Sequence, residues 1–411
     1  MSQQTFIRHL SRILTKNQIL VLTGPKMVGK RNLSEQIVKQ FRRNILSLDL
    51  SKSTDRKKLA HPELFFAVHS SECIILESLE FLPSILDDIL RFQFSNRKQP
   101  KFILTLDYQF ASVFRFFRFP KRIVIKEVFP LSLPESGMSR SHSVWQHWLK
   151  GGYPGFLTAP SYRVLNNRVS RIISLICSGN TTIITGHQLN AEKLEICLEI
   201  LSQLNGTILN SHLISKSLGV TSPTVMRYLN YLEAAMLIRL LPAFSPEGST
   251  KRLMRAPKIY FRDTGILHHF RGIQTLRSLS KSIGQPDSWE AYVIEEVAKI
   301  LPSRYTLYYY RTQHSAEVQL IITKISKPEV PKQPVLGICI QTGTVPLISR
   351  GLRNCFSNLP TRKNYLVQGA TIQADSSENS LPTEILINLK SMNCTLISLP
   401  ELVRKLSTLR L

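Results

Sequence analysis

The stretch Gln18–Leu33, QILVLTGPKMVGKRNL, restricts the possible fold more than any other part of the chain. Ile19, Leu20, Val21 and Leu22 form a β-branched and aliphatic run ending at Thr23-Gly24, the pattern of a buried strand entering a tight turn. Gly24, Gly29 and Lys30 then stand at G-x-x-x-x-G-K spacing, and Asn32 to Val38 continues with helical character. This is the P-loop pattern. Its glycines let backbone N–H groups close around phosphate, the helix N-terminus adds partial positive charge, and the lysine reaches the β and γ phosphates. The expected nucleotide contacts are Gly24, Pro25, Lys26, Val28, Gly29, Lys30, Arg31 and Asn32, with ATP as the cofactor. One position departs from the pattern. The Ser or Thr that follows the lysine and ligates magnesium is Arg31, which cannot ligate a cation and brings its own charge to the metal's place.

Charge is the strongest bulk signal. Lys and Arg exceed Asp and Glu by 25 in 411 residues, with a pI near 10.0. Phosphate neutralisation by such residues supplies most of non-specific nucleic-acid affinity, so nucleic acid is the expected macromolecular partner beside nucleotide. A proteome that is basic throughout is the alternative explanation. A 43% hydrophobic fraction with 20% charged residues fits a folded chain of two to four domains. No apolar run approaches the roughly 18–20 residues of a membrane span, so no membrane partner is expected. The amphipathic N-terminus, MSQQTFIRHLSRIL, lacks a signal-peptide core and reads as a helix packed on the P-loop unit. Six cysteines without C-x-x-C pairs fit buried thiols of a cytoplasmic protein better than zinc or disulfides.

Downstream of the loop, Asn44–Leu50 reads as a second strand, Ser51–Ala60 as a charged connection, and Cys73–Glu77 as a third strand ending in an acid. Beside a P-loop strand, that acid is where a Walker B carboxylate is expected, holding magnesium through water. The usual Asp-Glu is here Glu77-Ser78, and a serine hydroxyl is a poor general base at its ordinary pKa. A helix to about Phe94 and a fourth strand, Lys101–Thr105, complete the rhythm of a mostly parallel sheet with its ligand at the strand C-termini.

VLTGPKMVGKRNL, IILESLEFLP, FILTLDYQF, VFPLSLPE, GGYPGFL, YFRDTGIL and LYYYRTQHSAEVQLI occur in this order. The set resembles a family of prokaryotic AAA-type ATPases that join an ATPase core to a C-terminal domain thought to resemble restriction endonucleases. The resemblance runs from about Phe6 to Leu402 and implies an α/β chain in four parts. These are a P-loop AAA-type parallel-sheet core at 1–140, a helical lid at 141–198, a winged helix at 199–275 and a PD-(D/E)xK nuclease-like α/β domain at 276–411. It implies catalytic roles for Glu77 and for Arg122, a phosphate-sensing or trans-acting arginine. Family members read close to GPRQVGKTT, LLDEIQ and LTGSS, so Arg31, Glu77-Ser78 and Leu106-Asp107 are departures at functional positions.

Asn210-Ser211 caps a short helix ending near Leu218, Gly219 supplies a turn, and Ser222-Pro223 opens a longer helix. Val225, Tyr228, Leu229 and Leu232, with Ala235, mark its buried face, and the spacing is that of a helix-turn-helix. The resemblance adds a wing from Leu237–Leu241 and Lys258–Phe261. Thr221, Ser222, Thr224, Arg227 and Asn230 then point outward, with Lys251, Arg252, Arg255 and Lys258 near the wing. Arg227, Lys251, Arg252 and Arg255 are the nucleic-acid candidates, as phosphate contacts that orient without selecting sequence.

The last part begins with a helix from Trp289 to Leu301, followed by three strands, a helix and a further strand, the order of the PD-(D/E)xK core. Such an enzyme needs carboxylates and a lysine on its second and third strands to bind magnesium and steady water. Gln319, Cys339 and Gln341 occupy those positions, and amides and a thiol do not assemble a hard-cation site. Nuclease activity is not expected, no metal site is assigned, and Glu290 and Glu317 read as structural or surface carboxylates. Two main readings remain: an ATP-binding protein with weak or absent hydrolysis, associated with DNA or a partner, and a catalytically dead scaffold that uses no nucleotide. A working ATPase with Glu77 for Asp and Arg31 in place of the metal is the third.

Overall fold

The computed structural model describes residues 3–16, 19–40, 44–95, 100–107, 110, 123–138, 141–179, 181–246, 255–313, 315–325, 333–343, 345–369 and 382–407. Backbone contacts divide the chain into two compact units. One comprises Met1–Pro130, Ile172–Leu189 and Asn230–Met236, and the other Leu131–Arg171, Asn190–Leu229 and Leu237–Leu411.

The first unit is built on a parallel sheet of β1 (Ile19–Gly24), β2 (Ile45–Asp49), β3 (Cys73–Glu77), β4 (Lys101–Asp107) and β5 (Ile123–Glu127), in the order β2-β3-β4-β1-β5. Every residue of β1 is buried, as the unbroken aliphatic run requires of a strand covered on both faces. The N-terminal helix Gln3–Lys16 buries Ile7, Leu10 and Leu14, and its Ser11 hydroxyl donates to the Ile37 carbonyl of the helix Lys30–Val38. The expected packing of the amphipathic N-terminus on this unit is therefore present. Two local readings change. Ser51–Ala60 contains the helix Ser53–Lys58, which buries nothing and so leaves no apolar periodicity to read; Asp55 near its start and Arg56, Lys57 and Lys58 at its end complement the helix dipole. The fourth strand runs on to Asp107, which pairs in register with Gly24.

In the second unit the helices Ser141–Lys150 and Ala191–Gln203 precede the helix Ser211–Leu218, capped by Asn210 and closed by Gly219 in the left-handed conformation. The helix Ser222–Ala234 follows, belonging to this unit as far as Leu229 and to the first unit from Asn230, and Thr221, one residue earlier than expected, accepts the capping N–H of Thr224. Val225, Tyr228, Leu229, Leu232 and Ala235 are buried as their spacing predicts. A two-stranded antiparallel ribbon, β6 (Ile238–Leu241) with β7 (Lys258–Phe261), stands where the wing is expected. Gly151 has φ +78°, and a Cβ there would meet the Asp263 carboxylate at 2.1 Å, so the glycine stop of the preceding helix is also a site of close approach. Asp263 caps the helix Thr264–Phe270 by accepting from Gly265 and Ile266.

The second sheet is mixed, in the order β12-β11-β10-β9-β8. β8 (Tyr305–Arg311), β9 (Glu317–Lys324) and β10 (Pro334–Gln341) are antiparallel neighbours, whereas β11 (Lys363–Gln368) and β12 (Cys394–Ile397) add parallel strands. Alternation along the strands sends Leu307, Leu320, Ile322, Leu336 and Ile338 to the face packed with Trp289, Tyr292, Val293 and Val297 of the helix Gln285–Ile300. Val318, Ile321, Cys339 and Leu366 face the helix Arg350–Asn358. Beyond the strand expected within 364–367 the chain continues through the helices Thr383–Ser391 and Leu399–Ser407 on either side of β12. All six cysteines are buried, and none forms a disulfide among the described residues. Among the described residues no helix is long and apolar enough to cross a membrane.

Candidate nucleotide-binding site

The turn after β1 keeps the shape of an anion cradle. Gly29 has φ +96° and Met27 φ +59°, and the helix begins at Lys30, so its first N–H groups have no carbonyl of their own helix to meet. Gly24 is required by close approach: a Cβ there would lie 2.3 Å from the Val128 carbonyl oxygen, beside the Val128 N–H bond to Thr23. Val28 is buried beneath the turn, whereas Asn32 is exposed and accepts from Gln36.

The Lys30 ammonium is turned into this loop. It donates to the carbonyls of Gly24 and Pro25 at 2.8 and 3.0 Å and to Asp107 Oδ1 at 2.8 Å. Lys26 Nζ lies 3.8 Å from Asp107 Oδ2 and donates to the Leu175 carbonyl. A second acid, Glu80, sits on the short turn Leu79–Phe81 after β3, and its Oε2 is buried with no hydrogen-bond partner among the described residues. Burial, then the Asp107 carboxylate, push the Glu80 carboxyl up to about 7. Asp107 and Glu80 were absent from the candidates. Their signal was the departure Leu106-Asp107 at the end of the fourth strand, which register places beside Gly24.

Arg31 and Glu77 meet. Arg31 Nε is 3.4 Å from Glu77 Oε1 and 3.2 Å from Glu35 Oε1, and Ser47 donates its hydroxyl to Glu77. The Glu35 bond, then Glu77, raise the Arg31 pKa, while burial raises that of Glu77. Magnesium does not fit here. Of its two protein positions one holds a guanidinium, and that guanidinium occupies the carboxylate at the other. Ser78 supplies no acid; its N–H donates to the Thr105 hydroxyl. Among the described residues no group of three or more His, Cys, Asp or Glu could hold a metal ion.

Arg227 and Arg255 are exposed, as are Thr221 and Asn230. Arg122, Lys251 and Arg252 lie outside the described residues. Lys258 is a correction. Expected at the surface of the wing, it is buried in β7, with its ammonium 2.8 Å from Glu290 Oε1 and 2.5 Å from Glu317 Oε1 and within 6 Å of the Tyr260 and Tyr309 ring centres. Tyr260 donates its hydroxyl to Glu290, and Arg311 pairs with Glu317 at 3.0 Å. The two carboxylates are thus structural, and burial opposed by Lys258 leaves Glu290 raised above the ordinary carboxylate range. Gln319 accepts the Ile340 N–H, and Gln341 both donates to and accepts from the Leu347 backbone, so these amides serve the sheet.

A family model described as a domain of unknown function (DUF8612) matches residues 141–277. The chain is 28% identical over 361 residues to uncharacterized proteins of Mycobacterium bovis and Mycobacterium tuberculosis, covering 87% of this chain and 78% of each relative. Among solved structures it is similar to the Thermotoga maritima RuvB Holliday junction branch migration motor, at 15% identity, 58% of this chain, 90% of that chain and TM-score 0.28. It is also similar to a Walker-type ATPase of Pyrococcus abyssi, at 14% identity, 64% of this chain, 94% of that chain and TM-score 0.39. At these TM-scores the superpositions add nothing to the strand order and loop geometry described above.

Proposed function

We propose that this chain binds the phosphates of ATP at Gly24–Lys30 without magnesium and hydrolyses it slowly or not at all. The observation that carries the reading is the pairing of Arg31 with Glu77 beside a loop whose left-handed turn and helix start suit an anion and whose lysine turns into it, held there by Asp107. Backbone N–H groups and Lys30 hold phosphate without a metal, whereas hydrolysis lacks both a magnesium position and a water-polarising acid. In this account the chain keeps the four-part organisation of the resembled family, and nucleotide biases the attitude of the winged helix. Exposed Arg227 and Arg255 and the net charge of +25 support association with nucleic-acid phosphates. The nuclease-like sheet acts as a scaffold.

Thermal melting with ATP tests the reading. Stabilisation that persists in EDTA and disappears in Lys30→Ala is expected, at about 2.7 kcal/mol when ATP stands at 100 times its Kd. No shift under any condition removes it. One observation favours a second reading, a scaffold that uses no nucleotide: Asp107 already satisfies Lys30. That scaffold retains duplex DNA with an affinity that falls steeply with salt and is indifferent to ATP; affinity independent of salt contradicts it.

A further inference from the structure

We infer that Asp107 is an internal competitor for the phosphate that Lys30 would hold, and so sets which nucleotides this loop accepts. The inference rests on the nucleotide reading above and goes beyond it by assigning a selectivity to a residue outside the loop.

Sheet register fixes the placement. β4 pairs with β1 in parallel so that Asp107 stands opposite Gly24, and from there its carboxylate reaches the ammonium on the first residue of the following helix. The Lys30–Asp107 bond is a charge-assisted one at 2.8 Å between side chains that are 11% and 14% exposed, sheltered enough to hold and open enough to be displaced. Lys26, the neighbouring cation, faces the same carboxylate. Glu80, one of whose buried oxygens has no partner among the described residues, adds a second acid next to Asp107. A phosphate arriving at Lys30 therefore has to displace the Asp107 carboxylate and sit close to a second carboxyl group.

The cost falls only on ligands that contact Lys30. In a P-loop the lysine reaches the β and γ phosphates, while the α-phosphate is held by backbone N–H groups. ATP and ADP must displace Asp107, whereas AMP need not. Asp107 thereby narrows the difference in affinity between polyphosphates and monophosphates that the cradle otherwise provides.

The experiment is equilibrium titration of the full chain and of Asp107→Asn with ATP and with AMP, in EDTA, with Asp107→Ser as a second neutral variant. ATP affinity is expected to rise about tenfold or more in both variants, with AMP affinity changed less than twofold. ATP affinity unchanged or weakened by both substitutions overturns the competitor and leaves the nucleotide site intact. An equal gain for AMP overturns it as well, since that marks a general change of loop charge. Absence of ATP binding by the parent chain and both variants removes the inference together with the nucleotide reading.

Discussion

Arg31 in the P-loop unit and Lys258 in the mixed-sheet unit both stand against carboxylates of the kind a hard metal would use, but one is open and the other sealed. The Arg31 side chain is 62% exposed and shares its guanidinium between Glu35 and Glu77; the Lys258 side chain is 3% exposed and holds two carboxylates under aromatic rings. Glu77 is 13% exposed, but a pair whose cation stands largely in solvent gains little from its own attraction. A buried pair whose partner is removed leaves an uncompensated charge in a low-dielectric interior, which is costly. The first region is therefore a place where binding can occur, and the second is structure made from residues that look chemical.

The largest expected effect separates the two directly. Lys258→Ala should lose about 3–5 kcal/mol in denaturant unfolding, because the buried Glu290 loses its cation and Glu317 keeps only Arg311. Lys258→Met combined with Glu290→Gln and Glu317→Gln should recover part of that loss. A Lys258→Ala protein as stable as the parent would show that the cluster is solvated after all.

The next effect is a difference in the sign of pH dependence. Burial pushes His147 and His268 of the mixed-sheet unit down to about 4 from an ordinary 6.5, so the folded state binds fewer protons than the unfolded one. Stability from these groups is complete above pH 6.5 and is lost as pH falls towards 4, by roughly 3 kcal/mol for each at ~1.4 kcal/mol per unit. Glu80 in the P-loop unit is raised from 4.5 to about 7, so its contribution is present below 4.5 and is lost as pH rises through 7. Hydrogen exchange should show β1 and β4 opening more readily towards pH 8 and the helix Ser141–Lys150 more readily towards pH 5. Glu80→Gln should flatten the first trend and leave the second. Both regions loosening in the same direction would contradict the assignment.

The smallest expected effect is at the open pair. Arg31→Ala should change stability by less than about 1 kcal/mol. A loss comparable to that of Lys258→Ala would mean that the Arg31–Glu77 contact is a structural strut, and the contrast between the regions would fail.

What was legible in the sequence follows contact distance. Gly24, Gly29 and Lys30, and likewise Asn210, Gly219 and the Val225–Leu232 stripe, express local geometry at fixed spacing, and the structure places them accordingly. Lys258 was misread because its partners lie 32 and 59 residues further on, and a basic residue on the strand β7 has no local sign of burial. Asp107 was visible as a departure but not as a partner, since 77 residues separate it from Lys30 and only the β4–β1 register joins them. The helix Ser53–Lys58 escaped for the opposite reason, having no buried face at all.

Whether the proposed anion cradle works without a metal is decided by titrating the full chain with a fluorescent ATP analogue in EDTA and again in magnesium, alongside Lys30→Ala. Saturable binding of similar affinity in both buffers, lost in the variant, is the expected result. Binding that appears only with magnesium, or that survives Lys30→Ala unchanged, would contradict it.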